Sequence, residues 1–256
     1  MKTTVVTIAY NDREGVRRTV ESVRAQEGVN LEHVVVDAAS SDGTAQWLAE
    51  QPVSDSFHWV SEPDRGRYDG MNKGVALGTG DLLWFMHSSD VFATPTSART
   101  AVDHLEYTGA RWGYGMSIIV VDGEVIGSSG QPPFRRSDLL TGIRTIPHQA
   151  TLFRTNFFRE LGGYDTEFGL TADQLFMMVA AERENPTTIP AVLCVFDGKG
   201  AGSTRGLRHH LRDTRRARRS LGASMTGSTV LDEVLGVLAL VETASSRLRR
   251  RLHRPL

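Results

Sequence analysis

Asp37, the pair Glu62 and Asp64, and Asp90 each stand at the end of a short apolar or β-branched run: EHVVVD, FHWVSE and DLLWFMHSSD. Carboxylates gathered in one place repel one another. Something must offset them: a metal ion, a cationic ligand, or raised pKa values. A hard divalent cation such as Mg2+ or Mn2+ takes oxygen ligands and is typically shared with substrate phosphates. The stretch SEPDRGRYDGMNKG, Ser61 to Gly74, adds Arg65, Arg67 and Lys73, the nearby cations available to a diphosphate. No GxGxxG follows the first apolar run and no GxxxxGK[ST] occurs, so neither a dinucleotide-binding Rossmann site nor a P-loop is expected. A metal-held diphosphate without a P-loop stays open.

These residues need elements that bring them together. Thr4–Tyr10 (TVVTIAY) reads as a buried strand. Val16, Val20 and Val23 recur at helical spacing, with Asn11 or Asp12 near the cap. Glu32–Asp37 is a second strand, AASSDGT turns into a helix with Trp47 and Leu48, and Phe57–Glu62 is a third strand. Met71–Leu77 reads as a short helix and Asp81–His87 as a fourth strand. Pro95–Tyr107 reads as a helix with Thr94 as its cap. Strand–helix alternation at this pitch argues for an α/β fold, a parallel sheet with helices on both faces. Ligands of such sheets bind beyond the carboxyl ends of the strands, where the acidic groups would converge. Past Tyr107 the pattern becomes mixed. Asp122-Gly123 between apolar runs signals an antiparallel hairpin, and Ala191–Asp197 is a later strand.

A chain of 256 residues with 40% hydrophobic content can bury one sizeable core. The single cysteine, Cys194, allows no internal disulfide and fits a reducing cytoplasm. The apolar run before Asn11-Asp12 is too short for a signal-peptide core or a membrane span. The net charge of −1 hides an asymmetry: from Lys199 onward 13 Lys/Arg stand against 4 Asp/Glu. An acidic body with a basic tail suggests two jobs, or one job beside an anionic surface.

Seven motifs in order carry a resemblance: TVVTIAYND, VVVDAASSDGT, SEPDRGRYDGMNKG, GDLLWFMHSSD, IPHQATLFR, LGGYDTEFGLTADQLF and DGKGAGST. The sequence resembles family 2 glycosyltransferases of the GT-A fold, of the bacterial polysaccharide and colanic-acid type, over residues 3–204. The resemblance implies a mostly parallel central sheet flanked by helices, a small antiparallel ribbon and a helical basic C-terminal tail. It divides the chain into a GT-A domain at 1–204 and an extension at 205–256. Within the domain, 1–107 would bind nucleotide and 108–204 would face the acceptor.

The same resemblance implies transfer of a sugar from a nucleotide-diphosphate donor to an acceptor hydroxyl, usually with inversion. Asp37 stands where the strand-two Asp contacts the nucleotide base; its structural alternative is a helix cap. Tyr10 lines the base pocket or sits in the core. Asp64 and Arg65 would face the donor. Asp90 matches the last acid of the metal-binding DxD-like motif, here Ser88-Ser89-Asp90, which lacks its first acid; the expected metal is Mg2+ or Mn2+. Asp173 in LTADQLF matches the general base, with Ala172 where an acid usually stands. Inversion needs such a carboxylate opposite the leaving group; the alternative is an N-cap for a helix over Gln174–Glu184. His148 would touch phosphate, acceptor or metal, or be structural. Lys199 lies in a glycine-rich loop suited to closing over the donor. The departures at Ser88 and Ala172 motivate a rival reading, a catalytically impaired nucleotide-sugar-binding protein.

The tail carries seven Arg and one Asp over 205–219, and SRLRRRLHRPL adds five Arg. Val230–Val241 between them is strongly apolar but too short to span a bilayer. Peripheral contact with anionic lipid at the inner face of the plasma membrane is one reading, suited to a lipid-linked acceptor. A helix packed on the core or in a homodimer is the other. Nucleic acid is not expected, because no aromatic residue interleaves with the arginines.

Overall fold

The protein is described by a computed structural model covering residues 1–198 except 53, then 207–224, 226–228, 230–232 and 234–238. Its elements run β1 (Lys2–Ala9), α1 (Arg13–Arg24), β2 (Asn30–Asp37), α2 (Thr44–Ala49), β3 (Phe57–Ser61), α3 (Arg67–Leu77) and β4 (Leu82–Phe85). There follow β5 (Val91–Phe92), α4 (Ser97–Thr108), β6 (Trp112–Val121), β7 (Glu124–Ser129) and α5 (Arg136–Thr141). A 3-10 turn at His148–Ala150 leads into β8 (Thr151–Arg154), α6 (Thr155–Glu160), α7 (Ala172–Arg183), β9 (Thr187–Asp197) and α8 (Leu207–Ser220).

The β-branched run of β2 is buried on both faces, as a central parallel strand requires: Val34, Val35 and Val36 have no solvent exposure. β3, β2, β1 and β4 pair in parallel, in that order. Helix α1 turns Val16, Val20 and Val23 inward, and Asp12 caps it by accepting from the Gly15 amide at 3.1 Å. Helix α3 presses glycine against the sheet. A Cβ at Gly74 would lie 2.3 Å from Val6 Cγ1, so only a residue without a side chain permits this approach.

Beyond β4 the sheet changes sense. β8 pairs antiparallel with both β4 and β6; β9 then pairs parallel with β6 and antiparallel with β5. The expected hairpin is present: Asp122 (φ 51°) and Gly123 (φ 81°) turn β6 into β7, the left-handed pair that suits a two-residue turn. Aromatic residues fill one side of the sheet. Phe158 packs on Phe176 at 4.5 Å and Trp112 stacks on Phe153 at 5.5 Å between ring centroids.

Several boundaries differ from the sequence reading. Helix α3 begins at Arg67, four residues before Met71, because Gly66 (φ 115°) makes the turn and Asp69 accepts from the Arg65 amide at 3.0 Å. Helix α4 begins at Ser97, not Pro95, since the Pro95 carbonyl is taken by the Glu27 amide at 2.8 Å. Asp173 is not an N-cap. Thr171 holds that place without a side-chain bond, and Asp173 is the second residue of α7. β9 starts four residues before Ala191 and passes through Pro190, near the shifts in its register with β6.

Candidate active site

The parallel strands β1, β2, β3 and β4 end at Ala9, Asp37, Ser61 and Phe85, and the turns beyond them are held in costly geometry. Asn11 (φ 49°), Ala39 (φ 55°) and Ser89 (φ 77°) are non-glycine residues in the left-handed region, one after each of β1, β2 and β4. Such strain persists only where the surroundings over-determine it. Here a polar web does so. The Asn11 amide donates to Ser40 Oγ at 2.8 Å, the Ser41 amide to Asn11 Oδ1 at 2.9 Å, and the Arg13 amide to Asp42 at 2.9 Å.

Asp37 lies fully buried at the centre of this web. It accepts from the Ser40 hydroxyl, from the Ser40 amide at 3.1 Å and from the Ser61 hydroxyl at 2.6 Å. It therefore ties the ends of β2 and β3 together. Tyr10 has left the sheet and is 67% exposed on the rim, so it is not a core residue.

The loop from Ser61 to Gly74 spends most of its charge on itself. Asp64 accepts from the Gly66 amide at 2.8 Å. Arg65 pairs with Asp69 at 3.1 Å. Lys73 pairs with Glu62 at 2.8 Å and Asp69 at 3.7 Å, and donates to the Pro63 carbonyl at 3.0 Å. Arg67 is the cation that differs. It is half-buried, makes no ion pair among the described residues, and acts on the interior: its charge helps depress both His87 and His148.

Those histidines form the floor. Burial first, then the Arg67 charge for His148 and the partner ring and Arg67 for His87, lowers each to about 3, so both are neutral. Their ring centroids are 5.2 Å apart, and His148 stacks on Phe85 at 5.1 Å. His148 Nε2 shares a 2.6 Å hydrogen bond with the Tyr164 hydroxyl. Among the described residues, His87 Nε2, His148 Nδ1 and Asp90 Oδ2 are buried polar atoms without a partner. Orphaned buried polar atoms call for a ligand or ordered water.

Asp173 faces this floor from the start of α7. The Tyr68 hydroxyl donates to Asp173 Oδ1 at 2.9 Å and to the Leu170 carbonyl at 3.0 Å. Burial and the Asp173 carboxylate push the Tyr68 phenol far up, so it remains a donor. The same charge is felt at His87 and, after burial, at Tyr164.

Asp90 is 2% exposed beside β9. Its Oδ1 accepts from the Asp197 amide at 3.1 Å. Burial pushes its carboxyl well up; the Asp197 amide opposes this and the Asp197 carboxylate adds to it. Ser89 donates to Asp12 at 3.0 Å and accepts from Arg18 at 3.0 Å, and Arg18 lies 3.6 Å from Asp197. The donor set fits a hard cation, because Asp90 Oδ2 is an orphaned carboxylate oxygen with a second carboxylate beside it. No group of three or more His, Cys, Asp or Glu suited to a metal occurs among the described residues. Such an ion would complete its shell with phosphate oxygens and water, as Mg2+ commonly does. Lys199 lies outside the described residues.

Sequence reasoning singled out Asp37, Asp64, Arg65, Lys73, Ser89, Asp90, His148 and Asp173. It gave no role to Tyr68, His87, Tyr164, Arg18 or Asp197, which the tertiary contacts bring to the same site. The one available signal was their position in or beside the same motifs.

The buried neutral histidines predict acid sensitivity. His33, at the far end of the sheet, is lowered to about 3 by burial and then by Arg24. For His33 and His148 the folded pKa lies below the unfolded one, near 6.5. Stability is therefore full above about pH 6.5, and falls below it by up to about 1.4 kcal/mol per pH unit for each ring. Thermal unfolding at pH 5 should come on the order of 10 °C below that at pH 7. Equal midpoints would mean that these rings are not buried in neutral form.

Solved structures define the class. TarS of Staphylococcus aureus in complex with UDP-GlcNAc superposes with a TM-score of 0.71 at 16% identity, over 95% of this chain and 72% of that one. The mannosyltransferase PcManGT from Pyrobaculum calidifontis, in complex with GDP-Man and Mn2+, gives a TM-score of 0.62 at 19% identity, over 99% and 76%. The fold is that of GT-A-type transferases. The family follows from sequence: the model of Glycosyl transferase family 2 matches residues 4–161, and the chain belongs to that family. An uncharacterized glycosyltransferase of Mycobacterium tuberculosis is 43% identical over 205 residues, 78% of this chain and 77% of that protein. A PGL/p-HBAD biosynthesis glycosyltransferase of Mycobacterium bovis is 30% identical over 162 residues, 60% of this chain and 59% of that one. Asp173 lies beyond the family match.

Proposed function

We propose that this glycosyltransferase is an inverting, metal-dependent hexosyltransferase. It would move a sugar from a nucleotide-diphosphate donor to an acceptor hydroxyl in cell-surface or secreted glycan or glycolipid synthesis. The observation that carries the reading is a pair of unlike carboxylates near the neutral histidines: Asp173, whose charge is felt at His87, and Asp90, whose amide donates to the His87 carbonyl at 3.1 Å. Asp173 is held by a permanent donor, Tyr68, and Asp90 keeps a buried oxygen without a partner.

In this mechanism Asp173 accepts the proton of the acceptor hydroxyl. The acceptor oxygen forms its bond to the anomeric carbon from the face opposite the leaving group. The bond from that carbon to the diphosphate breaks, and its electron pair leaves on the diphosphate oxygen. Asp90, with Asp197 beside it, would hold the Mg2+ or Mn2+, which when bound supplies positive charge at the departing diphosphate. Arg67 adds charge that Arg65 and Lys73, engaged by their own loop, supply less directly. Tyr10, Asp37 and Asp64 shape the nucleotide end. Ser89 and His148 border the donor. The 1–204 unit would work in the cytoplasm, with residues 205–256 making peripheral contact at the plasma membrane or pairing two copies.

Thermal shift with UDP-GlcNAc and GDP-mannose, with and without Mn2+, tests the reading. A donor at about a hundred times its Kd stabilises by about 2.7 kcal/mol, which should raise Tm by roughly 5–10 °C and only with metal. No rise with any nucleotide sugar would overturn it. Binding without turnover across a broad acceptor set would favour the impaired binding protein.

A further inference from the structure

The last helical segment among the described residues is inside out. Residues 230–232 and 234–238 are helical, and Val230, Leu231, Val234, Leu235, Val237 and Leu238 are between 41% and 71% exposed. At 100° per residue these six positions fall within an arc of about 160°. Asp232 and Gly236 lie on the other side. Asp232 is 2% exposed and accepts from Ser224 at 2.7 Å, and from the amide and hydroxyl of Thr226 at 3.1 and 2.9 Å. Its carbonyl accepts from Arg218 at 3.5 Å, and a Cβ on Gly236 would come 3.9 Å from that guanidinium. The polar side is thus pinned to α8, and the apolar side faces solvent. A helix packed on the core would show the reverse.

We propose that this face is a docking surface for an anionic lipid bilayer. Charge selects the occupant. The polar side of the segment rests on α8, on which His209, Arg212, Arg215, Arg216 and Arg219 are exposed, and the chain from Lys199 onward holds 13 Lys/Arg against 4 Asp/Glu. A second copy would bring the same patch, with the same excess of positive charge, against itself. A bilayer of anionic lipid offers negative headgroups to the arginines and acyl chains to the valines and leucines. Eight or nine helical positions span roughly 13 Å, less than half of a hydrocarbon core, so the segment lies on the membrane rather than across it. No helix among the described residues is long and apolar enough to cross one. The docking does not depend on the proposed chemistry; only its use, delivery of the site to a lipid-linked acceptor, rests on that reading.

Co-sedimentation of the full chain with vesicles tests it. The protein should pellet with equal parts phosphatidylglycerol and phosphatidylcholine, should remain in solution with phosphatidylcholine alone, and should be released by high salt. The double variant Val234→Asp, Leu238→Asp alters only exposed positions. It should lose vesicle binding by at least about tenfold, while its circular dichroism and its nucleotide-sugar thermal shift stay as in the parent. Failure of the thermal shift in both proteins would count against the transferase chemistry and leave the docking result standing. Absence of pelleting with anionic vesicles overturns the proposal. So does a concentration-dependent dimer that the same double variant abolishes, which would assign the face to a second copy.

Discussion

Asp173→Asn is expected to lower kcat for sugar transfer by about 10²–10⁴-fold, the usual contribution of a general base, with donor affinity largely intact. The side chain keeps its shape, and its Oδ1 can still accept from Tyr68, now at 2.9 Å from the carboxylate. The variant therefore removes the proton acceptor and little else. Donor binding should survive because the nucleotide end of the site would, in the proposed function, lie at the ends of β1, β2 and β3, away from α7. Tyr68→Phe is the companion measurement. Tyr68 touches the Asp173 carboxylate and the Leu170 carbonyl, so if Asp173 is the base its loss should depress kcat and leave the donor KM nearly unchanged. Wild-type turnover in Asp173→Asn would remove the base from this residue. A rise in donor KM without a fall in kcat would instead place Asp173 among the donor contacts.

Asp90→Asn should abolish metal-stimulated transfer and metal-dependent donor binding together, since the orphaned Oδ2 is the oxygen offered to the ion. The substitution is nearly isosteric. Asparagine Oδ1 can keep the 3.1 Å bond from the Asp197 amide. In the metal-free protein the native carboxylate is buried beside a second carboxylate with one oxygen unpartnered, an arrangement that costs stability. Its neutral replacement should be as stable as the parent in urea, or more stable by up to about 1–2 kcal/mol. Loss of activity with no loss of stability is the signature of a residue kept for function. Retention of metal-dependent turnover would show that the ion is held elsewhere. A large fall in stability would make Asp90 a structural acid.

Much of the sheet and of its carboxyl edge was legible in the chain itself. The alternation of β-branched runs with helical spacing through Phe85 determined a parallel half-sheet, and the polarity of its strands placed Asp37, Asp64 and Asp90 at one edge. That follows from local periodicity and chain direction, both of which a sequence contains. The hairpin at Asp122-Gly123 was readable for the same reason: its left-handed turn is written in two adjacent residues.

Tertiary structure alone decided the rest. Insertion of the antiparallel β8 between β4 and β6 rests on ladders between distant segments, such as Leu83 with Phe153, which leave no local trace. The bond from Tyr68 to Asp173 joins residues 105 positions apart and restrains a carboxylate that the sequence read as a general base, with a helix cap as the alternative. Three cations of one loop looked alike in sequence, but Arg65 and Lys73 are held by Glu62 and Asp69, while Arg67 is half-buried and its charge is felt at His87 and His148. Composition showed that Val230–Val241 is apolar. Whether that side faces the core or the solvent was set by Asp232 and Gly236 against Arg218. Residue type and spacing determine which chemistry is available and at which edge; which charge is already satisfied depends on neighbours that only folding supplies.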